Sequence, residues 1–555
     1  MPKIVRVLNI KEQISFFSLL FILIASLLSW GGITYYSKTT AIANYGGEYI
    51  EGVIGQPQHI NPVLSTSNNV DDDLVQIIFS SLFKYDNQGK LSNDLVDRFD
   101  ISEDKTQYTI YLKNNVAWHD GQPLTAADVL FTINLITDPA YKSPLRSNWQ
   151  GIETSSSDDY TLNFKIQTPY VGFLSNLTFG ILPKHIWESI SPEKFALTNF
   201  NLEPIGSGPY KYNPSFIKDS SGNILSYKLV ANPNYFGGKP YISKITFNYY
   251  PDDTVITAYN QKEIMGISNV SPKNLSAIKL PQSTLMHKFN IPRYFAVFFN
   301  QTKSVPLASD EVREALAYAT NRQEIIDSVL DGNGKPVYSP ILPGMIGYDE
   351  NADKLAFNLD KANEILDGKD WKRDNDGFRS KGDIQLQINL VTTDWPELFQ
   401  TAELIKSQWE KAGVKVDINN LSVSDIQQNY IRPREYDALL FGQVMGSDPD
   451  PFSFWHSSQK RDPGLNLSLF GDSETDKLID DGRIEFDTTK RASIYSDFQK
   501  KLTTEIPAIF IYSPDYVYPV NKKIQGIDIV NLVFPSERFA NIDKWYIKTK
   551  RIWNK

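Results

Sequence analysis

The feature that most constrains this chain is one stretch of 35 residues. IQLQINLV (384–391) alternates apolar and polar residues, as a half-buried strand does. DWPE (394–397) then reads as a helix start, with Asp394 at the cap and a proline tolerated in the first turn. Leu398, Ala402, Ile405, Trp409 and Ala412 form a helical stripe that stops at Gly413, and VKVDI (414–418) resumes the strand period. Strand, helix, strand over this distance is a β-α-β unit, which requires parallel strands with helices on the sheet faces. YDALLFG (436–442) is a candidate further strand of that sheet. Ligands of open α/β sheets bind beyond the carboxyl ends of strands, so GQVMGSDPDPFSFW (442–455) sits where a ligand loop is expected.

Each acid of that loop, Asp448 and Asp450, precedes a proline, which holds the residue before it extended. The stretch therefore reads as a rigid corner or as a ligand clamp built on one. In the clamp reading Asp448 offers a charge, Trp455 offers a wall, and Asp450 faces solvent or caps a turn. Nothing supports a catalytic reading: no G-x-S-x-G, H-E-x-x-H or G-x-x-x-x-G-K-[ST] pattern occurs, so no enzyme is expected. The 5 histidines are scattered without ligand spacing, and DNDG (374–377) has Lys372 where a calcium loop needs an acid and Asp383 where it needs glutamate, so neither a metal site nor a cofactor is expected.

At 555 residues the chain exceeds one hydrophobic core, so two or three domains are expected. A net charge of −9 argues against nucleic acid as a partner. The chain has no cysteine, which excludes disulfides, thiolate nucleophiles and a lipid anchor on a cysteine. Lys3, Arg6 and Lys11 precede the apolar run Ile14–Ile33, long enough to cross a bilayer, with the basic side facing the cytoplasm. The run reads as an uncleaved anchor that leaves the body outside the cell membrane, joined by a short polar tether from Tyr36 to Gly47. A signal peptide cut at Ala41-Ile42-Ala43, before Asn44, is the alternative and would release the body.

Between these elements, QYTIYL (107–112) reads as a strand and HDGQP (119–123) as a turn. Thr125 and Asp128 form a T-x-x-D capping box that opens a helix carrying Val129, Leu130, Ile133 and Ile136. Together with SLFKYDNQGKL (81–91), WHDGQPLTAADVLFT (118–132), ILPKHIW (181–187), PIGSGPYK (204–211), NPNYFGGKPYISKITF (232–247), VREALAYATNRQEII (312–326) and DPDPFSFW, this chain resembles the extracellular solute-binding proteins of family 5. These are the oligopeptide-, dipeptide- and nickel-binding receptors of ABC importers.

The resemblance implies an α/β fold: a two-lobe, periplasmic-binding-protein-like clamp of type II, cluster C-like, with an extra inserted α+β domain. Residues 1–44 would be the anchor or signal segment and tether. Lobe I would comprise 45–83, 204–290 and 520–555, the inserted domain 84–203, and lobe II 291–519. The chain would cross between lobes near Arg293–Asn300 and Ser513–Val520. The implied function is peptide binding in the interlobe cleft, with delivery to a permease and ATPase of an importer, by a monomer. The alternatives are a peptide-sensing signalling receptor, or a binder of another ligand such as a metal chelate.

Peptide-binding members carry an acid for the ligand ammonium a few residues past the glycine of the YDALLFG-like strand. Here those places fall on Met445, Gly446 and Ser447, and the nearest acid is Asp448. Asn321 also stands where the family has aspartate. The candidate ligand-binding residues are Gln443, Val444, Met445, Ser447, Asp448 and Trp455 of the loop, Ser67 and Asn68 of lobe I, and Arg293 and Tyr294 of the crossing.

Overall fold

The computed structural model describes residues 9–64, 68–214, 216–251, 254–268, 270–280, 282–352 and 354–554. The β-α-β unit forms as its periodicity requires. Strand Gln387–Thr393, helix Pro396–Lys411 and strand Lys415–Leu421 follow in order, and the strands pair in parallel from Gln387↔Lys415 to Thr393↔Leu421. Two details differ from expectation. Residues Ile384–Gln385 belong to a separate small sheet, and the helix cap position falls on Trp395 instead of Asp394. Pro396 takes the first helical position, where its missing N–H costs nothing, so the residue directly before it is the cap. The YDALLFG strand spans Ala438–Val444 and joins the same sheet.

Among the described residues that sheet is part of a single 13-stranded one. One long strand, Ala508–Asn521, serves both ends of it. Its first part pairs with Arg293–Phe299 and its last part with Thr284–Asn290. The long strand changes partner at Ile291–Pro292, opposite Ser513–Pro514, so the two connecting segments lie side by side. A pair of adjacent crossing strands between separately packed cores is the geometry of a hinge.

The cores are distinct. Lobe II carries one apolar cluster on each face of its sheet: Leu316, Ile405 and Trp409 on one side, Phe298, Trp455 and Phe498 on the other. A third cluster joins Tyr49, Leu74 and Phe247 with Ile110, Val129 and Phe164. The last three come from the antiparallel sheet Val96–Ile101, Gln107–Leu112, Thr161–Lys165, Glu153–Asp158 and its covering helix Ala126–Thr137.

Short motifs fasten these layers. The Thr125 N–H donates to the Asp128 carboxylate at 2.9 Å, completing the capping box, and the other Asp128 oxygen accepts from Lys184 N–H of ILPK at 2.9 Å. The His119 ring joins WHDG to GSG: Nδ1 accepts from Gly206 N–H at 3.2 Å while Nε2 donates to Gly208 O at 3.1 Å. Burial pushes this imidazole down to about 4, so it stays neutral in that tautomer. A Cβ at Gly206 would lie 2.0 Å from Ile78 O, which is why the motif needs glycine there.

In the lobe I core Arg538 grips Asp73 with both terminal nitrogens (2.6 and 2.5 Å) and reaches Glu51 at 3.4 Å, all three side chains being 0–1% exposed. The hydroxyls of Tyr49 and Tyr518 also donate to Glu51. Two acids share one guanidinium, so one negative charge is in excess. Burial pushes the Glu51 carboxyl up to about 7.

The N-terminal helix spans Ile10–Lys38, longer than the apolar run, because Asn9 and Glu12 form a capping box ahead of it. None of its residues is buried. The expected polar tether is instead ordered: strand Thr39–Asn44 pairs antiparallel with the C-terminal strand Lys548–Trp553, from Thr39↔Trp553 to Asn44↔Lys548. Alternating Thr, Ile and Ala suit an extended chain, and KTKRIW offers it a complementary edge.

Candidate functional site

A cavity of ≈ 470 Å³ opens between the cluster of Tyr49, Leu74, Ile110 and Phe164 and the loop after strand Ala438–Val444. Its wall is drawn from Asp72 and Glu537, from Lys84, Tyr85, Trp149, Tyr170 and Phe179, and from Gly446, Ser447, Asp448, Asp450 and Phe454 of the loop after strand Ala438–Val444. The corner thus reaches the place expected of a loop at a strand's carboxyl end. Tyr85 lies with its hydroxyl between Ser175 and Ser447, and Tyr170 lies beside Asp450, so aromatic side chains span the gap.

Of the residues singled out from sequence, Ser447 and Asp448 line the cavity. Asp448 is held by Arg491 through two contacts of 2.6 Å, and the Arg491 guanidinium is only 5% exposed. The carboxylate expected to meet a ligand ammonium therefore already has a cation. Asp450 caps the turn, accepting from Phe452 N–H at 3.1 Å, and also pairs with Arg483 at 3.0 Å. Arg483 in turn lies over the rings of Phe452 and Tyr170.

Trp455 is not a cavity wall. It is 1% exposed, packed between Phe298 and Phe510, because the turn Phe452–Trp455 points its last side chain into the lobe II core. Tyr294 and Met445 are buried in that same core, and the Tyr294 hydroxyl donates to buried Gln443. Strand alternation decides this: neighbours in a strand point to opposite faces. Asn68 caps helix Asn69–Ile78, accepting from Val70 N–H at 3.0 Å, and its amide donates to Gln56 O and Asp71. Ser67 lies outside the described residues. Asn321 likewise caps helix Arg322–Leu330, a task asparagine performs as well as aspartate.

Val444 and Arg293 face each other across the ladder at the hinge end of the sheet. Val444 is exposed, and the Arg293 Nε is buried without a hydrogen-bond partner. Strand Gln387–Thr393 pairs with Ala438 and Leu439 alone, so past Leu440 the strand has a neighbour on one side only among the described residues. That leaves a backbone edge leading into Gly446 and Ser447.

Sequence reasoning missed Lys84, Tyr85, Tyr170 and Glu537. Lys84 pairs with Asp94 at 2.9 Å. Glu537 accepts from Val533 N–H at 2.6 Å and Phe534 N–H at 3.2 Å, and burial pushes its carboxyl up to about 7, so near neutrality it can donate as well as accept. Tyr85 and Lys84 stand within a quoted motif, SLFKYD, but no local pattern marks them as wall residues. Among the described lining residues there is no histidine and no cysteine. The arrangement offers hydrogen-bond donors and acceptors, aromatic faces and a strand edge.

Two cores joined by a pair of crossing strands, with a polar cavity between them, define a hinged ligand-binding protein of the two-lobe type. The model of the bacterial extracellular solute-binding proteins, family 5 Middle, matches residues 90–464, and the chain belongs to this family. It is 27% identical to the oligopeptide-binding protein AppA of Bacillus subtilis over 519 residues, covering 92% of this chain and 93% of the relative. The AppA structure, solved in complex with a nonapeptide, superposes with a TM-score of 0.73 and covers 91% of this chain and 100% of its own. The dipeptide-binding protein of Escherichia coli is 26% identical over 526 residues, covering 89% and 94% of the two chains. The ABC transporter substrate-binding protein CtaP of Listeria monocytogenes gives a TM-score of 0.78 at 27% identity, covering 91% of this chain and 99% of its own.

Proposed function

We propose that this protein is the extracytoplasmic receptor of an ABC importer and that it holds a short peptide in the interlobe cavity. The observation that carries the reading is the open edge after Leu440 running into a cavity of ≈ 470 Å³, within the ~300–1,000 Å³ usual for ligand pockets. An extended peptide pairs its main chain with such an edge, while its side chains enter the hydrated space around Tyr85, Tyr170 and Phe454. The relatives named for oligopeptides and dipeptides support the same ligand class.

With Asp448 committed to Arg491, the main chain and neutral donors carry the binding. Of the residues chosen from sequence, Ser447 and Asp448 stay assigned to the cavity wall and Val444 and Arg293 to its hinge end. Lobe I is assigned to 45–83, 204–290 and 520–555, the inserted domain to 84–203 and lobe II to 291–519. Closure of the lobes presents the loaded form to a permease and its ATPase. The protein works as a monomer, held at the membrane by an uncleaved Ile10–Lys38 helix.

Mass spectrometry of ligand released from the purified full chain tests this reading, followed by calorimetric titration of the peptides found. Ser447→Tyr, which places a ring in the cavity, is expected to weaken binding at least tenfold without lowering the melting temperature. Recovery of no peptide, together with no thermal stabilisation by a pooled library of short peptides, would overturn it.

A further inference from the structure

The chain is acidic as a whole, with a net charge of −9, yet its cations gather where the apolar helix meets the body. The ribbon Thr39–Asn44/Lys548–Trp553 contains Lys548, Lys550 and Arg551 and no acid. Lys38 ends the helix beside it, and Lys239 lies over the ring of Tyr45, one residue past the ribbon. Lys38, Lys239, Lys548 and Lys550 are exposed, and none of them is in an ion pair among the described residues.

The ribbon is held rigidly to the helix end. Arg551 donates to Tyr36 O at 3.0 Å and to Thr39 O at 2.6 Å, and its guanidinium lies 4.5 Å from the Tyr36 ring centroid. Tyr35 meets Trp553 edge-on at 5.9 Å. Exposed Tyr35, Tyr36, Ile552 and Trp553 therefore ring the base of an apolar helix, the position where amphipathic aromatics settle at a membrane–water boundary.

We propose that this ribbon is a docking face for the anionic phospholipid headgroups of the leaflet from which the helix emerges. It holds the receptor flat against that surface instead of letting it swing on a loose tether. The inference rests on the anchor reading given above. Two observations select the occupant: the charge is opposite to that of the rest of the chain, and the face is continuous with the membrane-crossing helix. A basic side chain near an anionic surface shifts the docked-to-free ratio about fivefold, so several acting together hold a tethered body firmly.

The absence of native cysteine makes the test direct. An environment-sensitive dye is attached at Thr549→Cys in the full chain, which is reconstituted into vesicles of phosphatidylcholine alone or with one-third phosphatidylglycerol. A blue shift is expected only with phosphatidylglycerol, reversed by high salt and lost in Lys239→Gln/Lys548→Gln/Lys550→Gln. Identical emission in both vesicles, or a shift that survives the triple substitution, would overturn docking. A shift caused by soluble polyphosphate but not by phosphatidylglycerol would overturn it in favour of a polymer of the cell envelope. Failure of the anchor reading shows separately, as protein that does not float with either vesicle or whose membrane fraction begins at Asn44.

Discussion

Two sets of acids meet arginines in this protein, at two depths. The Glu51–Asp73–Arg538 cluster is fully enclosed by lobe I. At the cavity, Asp448 (22% exposed) pairs with Arg491 and Asp450 (16% exposed) with Arg483. The chemistry is the same and the consequence is not. A buried pair repays its desolvation only while every partner is present, so the inner cluster behaves as one unit whose loss of a member strands a charge. The cavity pairs keep contact with water, so each tunes the corner locally. What the difference teaches is that an acid near a binding site is not free for a ligand merely because the sequence shows it unpaired.

Removing Arg538 should have the largest effect. Arg538→Met leaves two acids in the lobe I core and is expected to cost about 3–5 kcal/mol of unfolding free energy in urea titration. The triple change Glu51→Gln/Asp73→Asn/Arg538→Met strands no charge and should recover most of that loss. A single substitution costing under about 1 kcal/mol would erase the distinction between the two depths.

The pH dependence comes next. Glu51 lies near 4.5 when unfolded and near 7 when folded, so the folded state binds the proton more tightly. Its contribution to stability is fully present below pH 4.5 and is lost as the pH rises to 7. A shift of this size corresponds to about 3 kcal/mol, and Glu537, pushed to about 7 by burial, acts in the same direction. Unfolding free energy at pH 5 should therefore exceed that at pH 8, with a shallower fall in Glu51→Gln. Because His119, held neutral by burial, acts in the opposite direction over this interval, the comparison with Glu51→Gln decides: an equal pH dependence in the two proteins would show that the inner cluster is not short of positive charge.

A smaller effect is expected at the cavity. Asp448→Asn deprives the buried Arg491 of its carboxylate and should cost about 1–3 kcal/mol in thermal melts, with peptide affinity nearly unchanged. Lost affinity at an unchanged melting temperature would restore Asp448 as a ligand anchor. The smallest effect belongs to Asp450→Asn. Asparagine can still accept from Phe452 N–H, so only the partly exposed contact with Arg483 weakens, by about 1 kcal/mol or less.

Much of the fold was legible because it is written locally. The β-α-β unit, the Thr125–Asp128 box and the strand ending at Val444 follow from alternation, helical stripes and caps, which neighbouring residues enforce on one another. The corner 446–450 was legible for the same reason: a strand's end and two Asp-Pro steps fix where it lies. The roles of its side chains were not. Arg491 follows Asp448 by 43 residues and Arg483 follows Asp450 by 33, on helices whose packing the loop sequence does not encode.

The sequence by itself determined that strands and helices alternate around 387–444, that a long apolar helix leads the chain, and that the Asp-Pro corner ends a strand. Tertiary structure alone decided which of that corner's residues reach the cavity. It sent Trp455 and Tyr294 into the core, gave Asp448 to Arg491, and brought Tyr85, Tyr170 and Glu537 to the opposite wall. It also closed Thr39–Asn44 onto a strand more than 500 residues away. The physical reason is range. Periodicity and capping act over a few residues, whereas burial and charge pairing are settled among segments that meet only once the chain has folded.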